Sequence, residues 1–118
     1  LARVKDLMHA GAELPLVPPT LPMRDVLVVM TGKRFGCAGV VDAAGRLSGV
    51  ITDGDLRRHM SADLLERRAG EVMTQRPVTI RPEALAAEAV AVMNAKSITS
   101  LFAVDGEGRP AGILHIHD

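Results

Sequence analysis

Two rhythms of apolar and polar residues run through this chain, and each is written twice. Met23, Val26, Leu27 and Met30 fall at i, i+3, i+4 and i+7, the spacing that lines one helix face, and Ala86, Ala89, Val90 and Met93 repeat it. Runs rich in β-branched and small apolar residues follow each helix: Cys37–Val41 and Leu47–Thr52 in the first half, 101–104 and 111–115 in the second. Their length and flanking turn residues predict strands. Gly-containing turns, Asp42-Ala43-Ala44-Gly45 and Asp105-Gly106-Glu107-Gly108, join the strands of each pair. A short extended segment precedes each helix, at Leu16–Val17 and at 78–80, bounded by prolines that disfavour helix just before them.

The duplication keeps a strict register. A shift of 63 residues lays Met30 and Lys33 on Met93 and Lys96, Asp42 on Asp105, Gly49-Val50-Ile51 on Gly112-Ile113-Leu114, and Asp55 on Asp118. The lead-in segments 4–8 and 69–73 match two residues out of phase, so the first copy carries a short insertion around 11–14. Each copy reads as strand, helix, strand, strand, helix, with the first at 1–62 and the second at 63–118. The second stops where its last helix begins. A unit of about 60 residues cannot cover both faces of its sheet alone, so the expected fold is α+β, the two copies packed sheet against sheet about a pseudo-twofold axis. Clefts between the copies then suit a small ligand.

Composition narrows the function. Hydrophobic residues make up 47% of the chain and aromatics 2%, so the core is aliphatic and no ring-lined catalytic cleft is available. Fourteen basic residues balance fourteen acidic ones, which argues against polymeric nucleic acid as a partner. No apolar run approaches the roughly 20 residues of a membrane span, and a cytoplasmic protein is expected. Cys37 is the lone cysteine, without a neighbouring base to activate it, and no Cys/His spacing resembles a zinc site. The chain opens on Leu1 and ends on Asp118, which reads as a piece of a longer polypeptide.

The chemistry concentrates at Gly49-Val50-Ile51-Thr52-Asp53-Gly54-Asp55-Leu56-Arg57-Arg58. A strand running into Thr-x-x-Asp at a helix start sets a hydroxyl and a carboxylate beside unpaired backbone N–H groups. The carboxylate suits a vicinal diol such as a ribose. Thr-x-x-Asp is also close to a capping box, in which the two side chains serve only the helix's own donors. Arg57 and Arg58 are expected in the first helical turn, where the dipole disfavours cations unless a phosphate is bound. His115 and His117 point to one strand face, yet no third metal ligand is evident. His9 and His59 stand near element ends and read as solvated.

With these residues in hand, the chain resembles the CBS domain, which occurs in tandem as a Bateman module, over its whole length. The family signature of glycine, two apolar residues, Ser or Thr, two residues and Asp, often with Arg three further on, is met by Gly49, Val50, Ile51, Thr52, Asp55 and Arg58. The second copy keeps Gly112, Ile113, Leu114 and Asp118 but carries His115 in place of the hydroxyl. The resemblance further implicates Pro15, Leu16, Gly36, Cys37, Ala38 and Gly39 around the first ligand site, and Val78, Thr79, Ile80, Thr99 and Ser100 around the second. Family members often carry proline at the Gly39 position.

More narrowly, Thr52-Asp53-Gly54-Asp55-Leu56-Arg57-Arg58, Glu71-Val72-Met73-Thr74, Ile98-Thr99-Ser100 and His115-Ile116-His117-Asp118 look like the C-terminal CBS pair of arabinose 5-phosphate isomerases. Those enzymes catalyse on a preceding sugar-isomerase (SIS) domain. The resemblance implies a regulatory, non-catalytic part of an enzyme on the way to Kdo, the acidic sugar of lipopolysaccharide. No cofactor or metal is required. The resemblance implies as regulatory ligand an adenine nucleotide, AMP or ATP, or the nucleotide sugar CMP-Kdo, and a homodimer of CBS pairs. A dimerisation scaffold without ligand is the rival reading. Isomerase activity in this segment itself lacks a paired general base and acid in either copy.

Overall fold

A computed structural model describes residues 1–118. The chain forms two compact units, one of residues 15–77 and one of residues 1–14 with 78–118. Each unit therefore joins the body of one repeat to the lead-in of the other.

In the unit of residues 15–77, β1 (Leu16–Val17) leads into α2 (Met23–Lys33), and β2 (Cys37–Val41) turns back into β3 (Leu47–Thr52). Next come α3 (Asp53–Arg58), a single 3-10 turn (Leu64–Glu66), α4 (Ala69–Val72) and β4 (Thr74–Gln75). The sheet order is β1-β2-β3-β4, with β1 and β2 parallel and the remaining pairs antiparallel. The two-residue strand β4 carries no periodic signal and is not legible in the sequence. In α2, Met23, Val26 and Met30 are buried against Val17, Ala38, Val40 and Ile51 from the sheet and Leu64, Ala69 and Val72 from the segments beyond it.

The second unit repeats the plan. α1 (Val4–Leu7) and a 3-10 turn (Gly11–Glu13) join β5 (Thr79–Ile80), α5 (Ala86–Lys96), β6 (Ser100–Val104) and β7 (Pro110–His115). Here β5 pairs parallel with β6 and β6 antiparallel with β7. Val4, Ile80, Ala89, Met93, Leu101, Ala103 and Leu114 form its core. The expected stripe needs one correction. Val90 is 43% exposed, because it sits at the rim of the stripe, where the longer Leu27 of α2 reaches half-buried packing and a valine does not.

Both hairpins turn in the same way. Asp42 Oδ1 accepts the N–H groups of Ala44 and Arg46 at 2.9 Å, and Asp105 Oδ1 those of Glu107 and Arg109 at 2.8 and 3.0 Å. Gly45 and Gly108 close the turns at φ 81° and 83°, a conformation that L side chains rarely adopt. No helix is long and apolar enough to cross a membrane.

Candidate functional site

Where β3 hands over to α3, Asp55 lies 2% exposed and is the one buried charged residue of the chain. An ionised carboxylate survives there because donors surround it. Its Oδ2 accepts the Thr52 backbone N–H at 2.9 Å and the Thr52 hydroxyl at 3.1 Å. Its Oδ1 accepts Arg58 Nη2 at 2.6 Å and the Thr74 hydroxyl at 2.5 Å. Burial pushes the carboxyl up, but the bonds from Thr74, the Thr52 N–H, Arg58 and the Thr52 hydroxyl outweigh it and hold the group below its ordinary range.

The capping arrangement is thus present, with Thr52 as N-cap and Asp55 reaching back to it. It is also general to this chain. Asp6 accepts the Arg3 N–H, Glu71 the Arg68 N–H and Asp118 the His115 N–H in the same way. Asp55 draws three further donors, the Thr52 hydroxyl, Arg58 and Thr74, the last from β4.

That fourth donor depends on a glycine. Gly49 lies opposite Gln75 in the β3–β4 pair, and a Cβ on it would come 2.7 Å from both Met73 Sδ and the Thr74 carbonyl oxygen. The signature glycine therefore admits the segment that delivers Thr74. The expectation for the arginines is corrected as well. α3 has only six residues, so Arg57 and Arg58 occupy its last turn, where cations suit the dipole. Arg58 folds back over the first turn, its guanidinium 3.3 Å from where a Gly54 Cβ would stand.

In the other unit, Asp118 takes the place of Asp55 and imidazoles take the place of hydroxyls. Asp118 Oδ2 accepts the His115 backbone N–H at 2.7 Å, and Oδ1 meets His9 Nε2 at 3.0 Å. Burial pushes the Asp118 carboxyl up, while its bonds to the His115 N–H and His9 carry it below the ordinary range. His9 is not merely solvated, as its place near an element end suggested. It also pairs with Glu13, and its backbone exchanges two hydrogen bonds with Ile113. Thr74 and His9 are the site residues that sequence reading missed, and the lead-in alignment holds the signal, since it lays His9 on Thr74. His115 Nδ1 accepts the His117 N–H at 3.2 Å, the two rings lying 5.1 Å apart. No group of three or more His, Cys, Asp or Glu is placed to hold a metal ion.

The remaining nominated residues divide by strand alternation. Leu16 lies opposite Gly39 and Cys37 opposite Thr52, while the Gly39 N–H donates to the Pro15 carbonyl at 2.7 Å. Pro15, Leu16, Cys37, Gly39 and Thr52 are thus gathered along three adjacent strands. Gly36 precedes them at φ 74°. Ala38, one residue out of step, points into the apolar cluster and offers no side chain to a ligand. In the other unit Ser100 lies opposite His115, and Thr99 accepts the Ile116 N–H at 2.8 Å through its carbonyl. Val78 and Thr79 are exposed, whereas Ile80 belongs to the core.

Each unit is therefore a small sheet with one long helix and a lead-in strand or bridge, ending in a turn whose acid is gripped from outside its own repeat. This defines a tandem-repeat α+β module with one acidic strand-to-helix turn per unit. The CBS domain profile matches residues 4–62 and 69–118, and the chain belongs to the CBS domain family.

Over 120 residues the chain is 38% identical to the arabinose 5-phosphate isomerase KdsD of Yersinia pestis, covering 100% of this chain and 36% of that one. It spans about a third of the length of such curated relatives. Among solved structures, CBSX2 in complex with AMP is similar at a TM-score of 0.84 and 25% identity, over 98% of this chain and 90% of that chain. The cytosolic domain of the Mg2+ channel MgtE in complex with ATP is similar at a TM-score of 0.82 and 26% identity, over 98% of this chain and 46% of that chain.

Proposed function

We propose that this chain is a regulatory nucleotide-binding module, with the ligand's ribose held at the Thr52/Asp55 turn. The observation that supports this is the division of labour on Asp55. The two bonds to Oδ2 come from Thr52 and hold the turn together, whereas the two to Oδ1 come from Arg58 and Thr74. A vicinal diol brings two O–H donors and replaces those two donor for donor. The Arg58 side chain, 63% exposed, is then released to meet a phosphate. The likeness to CBSX2 with AMP and to MgtE with ATP supports an adenine nucleotide. CMP-Kdo, as a feedback signal from the Kdo pathway, satisfies the same diol chemistry.

The likeness to KdsD supports a place for the chain as the C-terminal regulatory part of an arabinose 5-phosphate isomerase; catalysis on an SIS domain, a cytoplasmic setting and a homodimer of CBS pairs complete this reading. The rival reading, a scaffold that binds nothing, is favoured by the same carboxylate, which is buried and already satisfied as a cap. Isothermal calorimetry with AMP, ATP and CMP-Kdo separates them. Saturable binding to the wild type, weakened roughly 10- to 150-fold in Asp55→Asn, supports the sensor. Heats of dilution alone for all three ligands support the scaffold, and equal affinity for both proteins removes Asp55 from the site.

A further inference from the structure

The two acidic turns are built alike but neutralised differently. Asp55 faces Arg58, whose guanidinium stays charged at every physiological pH, and the hydroxyl of Thr74, which does not ionise. Asp118 faces His9 at the position that Thr74 holds in the other unit. We propose that His9 is the positioning residue of the Asp118 turn and makes that turn proton-dependent, so that the two halves of the pair answer differently to pH.

The geometry specifies the protonation. His9 Nε2 lies 3.0 Å from Asp118 Oδ1 and Nδ1 lies 3.4 Å from Glu13 Oε1, so a carboxylate faces each ring nitrogen. Ionised carboxylates only accept, and both ring nitrogens donate only in the imidazolium. Loss of one proton costs the ring one of its two partners. The other groups near the turn come from β7 and the residues after it: His115, which acts on Asp118, and His117, whose N–H is tied to His115 Nδ1. On α1, the element before His9, Asp6 is occupied by the Arg3 N–H and Lys5 is exposed. His9 cannot drift away when neutral, since its backbone remains bridged to Ile113 in both directions at 2.9 Å. The proton therefore switches the side-chain contact and leaves the strand pairing in place.

The direction follows. The bond to Asp118 raises the His9 imidazole, and although partial burial lowers it, the Asp118 and Glu13 charges leave it above the ordinary value of about 6.5. A raised folded-state value means that the contribution is complete below about pH 6.5 and is lost as pH rises through the folded value. On the acid side, Asp118 is depressed, so its contribution is present above about pH 3.9 and is lost as pH falls through its folded value. The contact is at full strength between those limits and loses the charge of the imidazolium above them. Any consequence for ligand occupancy rests on the nucleotide-binding reading, whereas the proton dependence of the turn does not.

Nuclear magnetic resonance tests it on the ligand-free protein. The His9 ring should titrate above the ordinary imidazole value, and the Asp118 carboxyl carbon should report the same midpoint. Asp118→Asn should bring the His9 midpoint down, and His9→Thr, which installs the side chain found at position 74, should remove that step from the Asp118 signal. The Asp55 carboxyl carbon should show no step over the same range. A His9 midpoint at or below the ordinary value, or an Asp118 step that persists in His9→Thr, overturns the proposal.

Discussion

Asp55 is fixed by competition between desolvation and hydrogen bonding, and the Thr74 hydroxyl makes the shortest of the bonds on the favourable side. Thr74→Val removes that donor while keeping the shape of the side chain. A hydrogen bond to a charged group is worth about 1.5–3 kcal/mol, so a destabilisation of that order is expected in urea unfolding at neutral pH. The acid limb should move too. With its folded-state value depressed, Asp55 contributes stability above about pH 3.9 that is lost as pH falls through the folded value. Without Thr74 that value rises, so acid unfolding of the variant should begin at a higher pH than in the wild type. An unchanged acid midpoint shows that Thr74 does not hold the carboxylate.

At the scale of elements, a lead-in from one repeat closes the sheet of the other, and a glycine makes room for it. Gly49→Ala puts a methyl group 2.7 Å from a backbone carbonyl oxygen as well as from the Met73 sulfur, and the carbonyl cannot swing aside as a thioether can. Overpacking of this kind costs about 1–3 kcal/mol, and hydrogen exchange at Thr74 and Val50 should quicken as β4 loosens. Gly112→Ala should act likewise in the other unit, where the new Cβ would meet the Met8 side chain and stand 2.9 Å from the His9 carbonyl oxygen. Unaltered exchange at those amides contradicts the close approach. The two long helices and the two strands of each hairpin were legible because their apolar periods repeat and their turns carry Asp and Gly at matched positions. β4 and the His9 bridge were not, since two residues show no period and their partners lie far off in sequence. The acid at the turn was legible as an acid and as a possible cap. The partners that bury and saturate it were visible only through tertiary structure.

For the whole molecule, each unit has its own apolar cluster and its own acidic turn, and binding at the proposed site is read as added stability. A nucleotide at about 100 times its dissociation constant adds about 2.7 kcal/mol, which for a chain of this length raises Tm on the order of 10 °C. AMP or ATP should produce that shift in the wild type and much less in Asp55→Asn, whereas a scaffold melts at one temperature throughout. The most direct measurement is a crystal structure with bound nucleotide. We expect the ribose hydroxyls on Asp55 Oδ1, Thr52 still bonded to Oδ2, and Arg58 swung away to the phosphate. A nucleotide bound elsewhere, with Arg58 and Thr74 still on Asp55, contradicts the proposed exchange and leaves this acid a helix cap alone.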